Sequence, residues 1–349
     1  MHEIDAATVA KREEFYARLK PHNMAPLWEV MKGMLPPEPP SKAQAHRWRY
    51  DDIRPLILES GSLLTAEEAE RRVLILENPA FPAQSRATST LYAGIQIIMP
   101  GEVAPAHRHT PSALRFMLEG SGAYTTVGGE RTRMAFGDFV ITPVWAWHDH
   151  GNDGSDPAAW LDGLDVPMIA FFEAVFREDS DDTEQELLRP EGDSLARFGS
   201  GMMPIGGTSP YGQTTPIFNY PYERSREALY RASRGEEIDA HIGTTLRYAN
   251  PIDGGWTMPT MSAWLSHVPK GMETAKIRST DHIVMCIAEG TGSITIGAKT
   301  FDFGPKDVIV VPGWSWRSFK ASEDVVVFCF SDRVAQEKLG YFREDRTRV

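Results

Sequence analysis

Four of the ten histidines in this 349-residue chain fall into two His-x-His pairs, His107 with His109 and His148 with His150. On a β-strand, residues two apart project from the same face. His107 and His109 can therefore enter a barrel interior together, and a third imidazole from a neighbouring strand can complete one face of a metal ion. Neutral imidazole suits iron, zinc, copper, nickel or manganese. A single histidine would read as an ordinary core or surface residue, and the spacing is what argues otherwise. Residues 101–122 read G-x5-H-x-H-x10-G-x-G, and residues 137–152 read G-x5-P-x4-H-x3-N.

Those two segments resemble, in order and separation, the two signature motifs of the cupin superfamily. A typical cupin supplies a Glu a few residues after the first pair. Here that place holds Ala113 or Leu114, neither of which can bind. The metal ligands are then His107, His109 and His148, all neutral, with up to three coordination positions open. A closed structural zinc site would fill all four tetrahedral positions with protein, whereas this one wants an anionic bidentate ligand and keeps room for a gas. His150 is left as a proton acceptor beside the metal or as a hydrogen-bonding support.

Arg115 follows at strand spacing from His109 and is a candidate carboxylate clamp, because a guanidinium fork binds carboxylate bidentately. A surface ion pair is the other reading, and Pro111 could interrupt the alternation. Gln96 ends a run expected to face the same pocket. Asp162 and Asp165 could hydrogen-bond a substrate hydroxyl, but by default they read as turn residues.

Short β-rich runs separated by Gly, Asp or Pro position these side chains: 91–99, 114–118, 122–127, 138–143 and 158–167. They predict an antiparallel barrel or sandwich. The pattern lapses over 173–222 and returns near 255. LEGSG (118–122) matches AEGTG (288–292), and GDFVITPVWAWH (137–148) matches KDVIVVPGWSWR (306–317). The near-constant offset points to a duplicated barrel. The fold expected is all-β and bicupin, two antiparallel double-stranded β-helix barrels with a helical N-terminal extension. The divisions are 1–75 (extension), 76–172 (metal-binding barrel), 173–250 (linker and helix), 251–335 (second barrel) and 336–349 (tail). Ile277, Ser279 and Arg317 face the three ligand positions, so the second barrel is expected to be metal-free, serving packing or oligomer contacts.

Composition bounds the function from outside. The net charge of −12 and the lack of any long Lys/Arg cluster argue against nucleic acid. Two isolated cysteines make no disulfide framework. No stretch has the ~18 apolar residues of a membrane span, and no apolar leader opens the chain. The expectation is a cytoplasmic protein with no nucleic-acid or membrane partner.

HRHTPSALRFMLEG, GERTRMAFGDFVITPVWAWHDHGN, WLDGLDVP, ERRVLILENP and LYAGIQIIMPGE closely resemble the gentisate 1,2-dioxygenases, over nearly the whole chain. The resemblance implies one Fe(II) per chain on His107, His109 and His148, an aromatic acid bound through its carboxylate and 2-hydroxyl, and O2 as co-substrate. It places Arg71, Tyr92, Gln96, Arg115, His150 and Asp162 around the pocket, with His150 and Arg115 catalytic. It also implies a homotetramer or dimer. One departure is Pro111, where Gln is usual. The same chemistry on salicylate, a substituted salicylate or 1-hydroxy-2-naphthoate is one alternative. A non-catalytic metal-binding cupin is a second, and a zinc hydrolase a weaker third.

Overall fold

The computed structural model describes residues 5–235 and 238–348. The chain divides into two compact units, residues 1–40 and 41–349. In the first, helices Ala6–Leu19 and Leu27–Met34 are joined through a 3-10 turn. Asp5 caps the first helix by accepting from Thr8 N at 2.8 Å. The Tyr16 hydroxyl donates to Glu29 at 2.7 Å and accepts from the Trp28 indole at 2.8 Å. Among the described residues no helix is long and apolar enough to cross a membrane.

The second unit holds two barrels, each made of a six-stranded and a five-stranded antiparallel sheet. In the first barrel the six-stranded sheet runs Asn219–Tyr220, Phe139–Thr142, Ala113–Glu119, Ala158–Leu164, Tyr92–Ile98, Val73–Ile75. Its five-stranded sheet runs Arg177–Asp179, Val103–His109, His148–Asn152, Ala123–Val127, Glu130–Arg133. The second barrel repeats this order strand for strand. His107 lies opposite His148 in the first, and Ile277 lies opposite Arg317 in the second. This is the duplicated bicupin architecture expected.

The duplication reaches further than the barrels, and here the expected divisions need correction. Strand His46–Trp48, from the segment taken as N-terminal extension, pairs with Val308–Val311 of the second barrel. Strand Asn219–Tyr220, from the expected linker, pairs with Phe139–Thr142 of the first. Each is followed by a 14-residue helix, Tyr50–Leu63 and Tyr222–Gly235. The two helices are anchored identically: Tyr50 N donates to Asp307 at 2.8 Å and Tyr222 N to Asp138 at 2.9 Å. The strand–helix unit ahead of each barrel thus completes the other barrel. Residues 336–349 are likewise not a plain tail, since Glu344–Arg346 pairs with Ile277–Ser279 as Arg177–Asp179 pairs with Val103–His109. These edge strands are two or three residues long and mostly polar, so they carry no alternation for a pattern reading to detect.

One apolar core spans both barrels. Phe116 of the first stacks on Phe328 of the second, ring centroids 4.2 Å apart at 10°, with Phe139 and Tyr248 packed around them.

Candidate metal centre

His107 and His109 sit at the end of strand Val103–His109, and His148 begins the adjoining strand His148–Asn152. Alternation turns the first two inward together, and the antiparallel register sets His148 against His107. One ring nitrogen from each of the three lies within 4.8 Å of the others. His109 Nδ1 donates to the Pro111 carbonyl at 2.7 Å and His148 Nδ1 to the Ala146 carbonyl at 3.0 Å. Both tautomers are thereby set with Nε2 as the free lone pair, the usual device for orienting metal-binding imidazole. Because a backbone carbonyl does the work, Pro111 serves here as well as Gln would.

The donors are also in the right charge state. Burial, reinforced by Arg71, pushes His107 down to about 2, and burial pushes His109 down to about 4. Burial, then the neighbouring imidazoles, drive His148 well below its ordinary value. Three neutral, converging imidazoles fit a divalent transition metal.

A cavity of about 210 Å³ opens beside them. Arg71, Tyr92, Gln96, Arg115, His150 and Asp162 all line it. Arg115 arrives by a route the spacing did not anticipate. The chain breaks at Thr110–Ser112 and crosses to the opposite sheet, where Ala113–Glu119 begins a new strand. Arg115 is 3% exposed, and its Nη1 donates to Thr142 Oγ1 at 2.7 Å. Its Nη2 donates to His150 Nε2 at 3.1 Å, which leaves His150 Nδ1 as the donor to Thr125 Oγ1 at 2.7 Å. Asp162, opposite Arg115 in the ladder, places Oδ1 3.7 Å from Arg115 Nε and accepts from the Trp160 indole at 3.0 Å. It is a mid-strand residue, which corrects the turn reading. Asp165 is elsewhere: it accepts from Ser112 N at 2.8 Å and from the Thr260 hydroxyl.

Positive charge dominates this cavity. Arg71 Nη2 donates to the Pro105 carbonyl at 2.7 Å and lies 2.7 Å from His107 Nδ1. Burial, with Arg115 and Arg177 nearby, holds the Arg71 guanidinium down to about 9. Burial raises Asp162 to about 6 against the opposing pull of Arg115. Burial, then Arg115 and Arg71, pushes His150 well below its ordinary value. Arg177 at the rim is paired with Glu70 and Asp179, which leaves the guanidiniums of Arg71 and Arg115 against the one carboxylate of Asp162, a balance that favours an anion. Gly94 keeps it open, for a Cβ there would fall 2.5 Å from Val73 Cγ1 and 2.9 Å from the Tyr92 hydroxyl. The lining residues that the sequence reading missed are Val73, Leu164, Val166 and Arg177, while Ala113, one of the two candidates for the fourth-ligand place, lies on the wall as well. Arg177 had one available signal, the recurrence of FRED at 176–179 and 342–345.

Known proteins resemble this chain over nearly its whole length. The sequence model of the family described as Cupin domain matches residues 94–165. Gentisate 1,2 dioxygenase 1 of Aquipseudomonas alcaligenes is 50% identical over 340 residues, 97% of this chain and 98% of that one. A gentisate 1,2-dioxygenase of Streptomyces sp is 35% identical over 96% of this chain and 95% of its own. The solved structure of salicylate 1,2-dioxygenase from Pseudoaminobacter salicylatoxidans, in adducts with gentisate, superposes with a TM-score of 0.91 at 31% identity, covering 100% of this chain and 96% of that one. The chain belongs to the gentisate 1,2-dioxygenase family and is a ring-cleaving dioxygenase of the bicupin fold.

Proposed function

We propose that this enzyme uses Fe(II) to cleave gentisate with O2 between the carboxyl-bearing and hydroxyl-bearing carbons, giving maleylpyruvate with both oxygen atoms incorporated. The observation that carries the reading is the convergence of three neutral imidazoles on a cavity with surplus positive charge. His107, His109 and His148 would hold the iron, which would supply Lewis acidity toward the substrate's oxygens and a path for electron density from the ring to O2.

The chain's own groups do the rest. Arg115, with Arg71 beside it, binds the carboxylate through charge-assisted hydrogen bonds. Thr142, His150 and Asp162 fix the direction of the Arg115 fork, so the ring enters in one orientation and the reacting carbons are held in near-attack contact. The His150 lone pair faces the same cavity. When the carboxylate draws Arg115 Nη2 off His150, the Nε2 lone pair that accepted from it is freed for the 2-hydroxyl proton, with Thr125 steadying Nδ1. Gln96 and Tyr92 offer hydrogen bonds to the ring hydroxyls. We read the enzyme as cytoplasmic and as a homo-oligomer, tetramer or dimer.

Oxygen uptake by iron-reconstituted enzyme, with gentisate and salicylate compared and the product identified by its ultraviolet spectrum, tests the assignment. Gentisate is expected to be consumed with one O2 per ring. Salicylate turning over while gentisate stays inert would transfer the assignment to the salicylate group, and no uptake with any hydroxybenzoate would end it.

A further inference from the structure

The second barrel has a cavity of its own, about 350 Å³, in the place that corresponds to the metal cavity of the first. The ladder registers give the correspondences. Arg317 stands where His148 stands, and Ile277 where His107 stands. Met285 and Cys329, paired with each other, replace the Arg115–Asp162 pair. Phe319 takes the place of His150. Part of the polar lining of the first cavity has become apolar here, while a buried cation sits at a ligand position and Ser266 and His241 keep polar atoms on the wall.

That cation has few direct partners. Arg317 is 9% exposed, and among the described residues its one side-chain hydrogen bond goes to Ser279 Oγ, at a long 3.3 Å. No carboxylate of the described residues lies within ion-pair distance of it. Asp281, the buried acid of that region, offsets the Arg317 charge from beyond ion-pair distance while its Oδ2 accepts from the Ser331 hydroxyl. Glu344, at the mouth, is taken by Arg346 at 2.8 Å. Arg247, Arg333 and Arg346 add further positive charge around the opening. A buried guanidinium with one weak bond and its carboxylate beyond ion-pair distance gains from an anion that completes it directly, and Trp264 and Phe319 offer flat apolar walls around that anion, with Met285 beside them.

We propose that the second barrel is a binding site for a small aromatic monocarboxylate, held by Arg317 through its carboxylate and by the Trp264 and Phe319 side chains through its ring. Recognition here needs no 2-hydroxyl and no metal, unlike the site in the first barrel, and it stands whichever hydroxybenzoate that first site cleaves.

The probe is 4-fluorobenzoate, followed by 19F NMR on the full-length enzyme. A bound resonance is expected that survives Arg115→Ala. Arg317→Met should weaken it roughly tenfold or more, the scale of a lost charge-assisted bond, while gentisate-dependent oxygen uptake and melting temperature are kept. Met285→Glu, which sets a competing carboxylate in the cavity without touching Arg317, should abolish it too. Equal affinity in wild type, Arg317→Met and Met285→Glu would overturn the proposal. So would a bound signal lost only in Arg115→Ala, or a lower melting temperature in Arg317→Met with binding unchanged, which would make Arg317 a prop of the barrel.

Discussion

Arg115 and Asp162 form the most sensitive pair of residues in the first cavity, because each is buried and each sets the other's usefulness. Arg115→Ala removes the carboxylate fork, so KM for gentisate is expected to rise roughly 10- to 100-fold, the range for hydrogen bonds to charged groups. KM for O2 should hardly change; steady-state kinetics at varied concentrations of both substrates separates the two. Asp162 governs the pH response. Its carboxyl is pushed up to about 6 by burial, so below that pH it is protonated and stops orienting Arg115 Nε, 3.7 Å away. The pH profile of kcat/KM is expected to fall on an acid limb near 6, and Asp162→Asn should flatten that limb while lowering the plateau. Stability moves the other way. A carboxyl whose folded pKa lies above its unfolded value contributes its stability at acid pH and loses it as pH rises through about 6. At this scale the sequence was informative where chemistry is local. Three imidazoles at motif spacing were legible, whereas the role of Asp162 was hidden because WLDGLD offers the same residue to a turn or to a strand, and only the sheet pairing decides.

The turn before His148, which follows strand Phe139–Thr142, ties the two ligand-bearing strands together by a backbone hydrogen bond. Trp145 takes a left-handed φ of 60°, uncommon outside glycine and asparagine. In that conformation its N–H donates to the His109 carbonyl at 2.9 Å, and the Ala146 carbonyl is left to receive His148 Nδ1. Side chains hold the turn in place: the Arg108 guanidinium lies over the rings of Trp145 and Trp147, 4.5 and 4.7 Å from their centroids. The second barrel repeats the device, with Trp314 at φ 61° and Arg278 over Trp314 and Trp316 at 4.3 and 4.7 Å. Since the same turn occurs in both barrels, its first purpose is to brace the sheet, and metal binding in the first barrel draws on that rigidity. Trp145→Ala is therefore expected to weaken iron retention about 10- to 100-fold, as loss of a ligand-orienting contact does, measured as iron content against a competing chelator. Trp314→Ala, the matched control, should cost stability and leave iron content unchanged. The strands of this scaffold were legible where both faces are buried and apolar. Arg177–Asp179 was not, because a three-residue charged strand at a sheet edge owes its conformation to the neighbour it pairs with.

The whole second unit behaves as one body because its two halves exchange parts. Helix Tyr50–Leu63 is anchored on the second barrel by Asp307, yet its Arg54 grips Glu119 of the first at 2.9 Å. Helix Tyr222–Gly235 mirrors it, anchored on the first barrel by Asp138 while Arg226 grips Glu289 of the second. The internal repeats were visible in the sequence, but this reciprocal exchange was not, since a repeat offset says which segments are alike and not which barrel each one joins. Its energetic centre is the stack of Phe116 on Phe328. Phe328 is fully buried, so Phe328→Ala is expected to cost about 3–5 kcal/mol through lost burial and a cavity. The damage should not stay in the barrel that carries the mutation. The first barrel loses the aromatic partner of Phe139 and of Phe116, and the strand of Phe116, Ala113–Glu119, also carries Arg115. Calorimetry on the full-length enzyme is expected to show residues 41–349 melting in one transition, with iron release and loss of sheet signal at the same temperature in both wild type and Phe328→Ala. Two separated transitions, with iron leaving only in one of them, would mean that the barrels are independent and that the exchanged strands and helices are ornamental to stability.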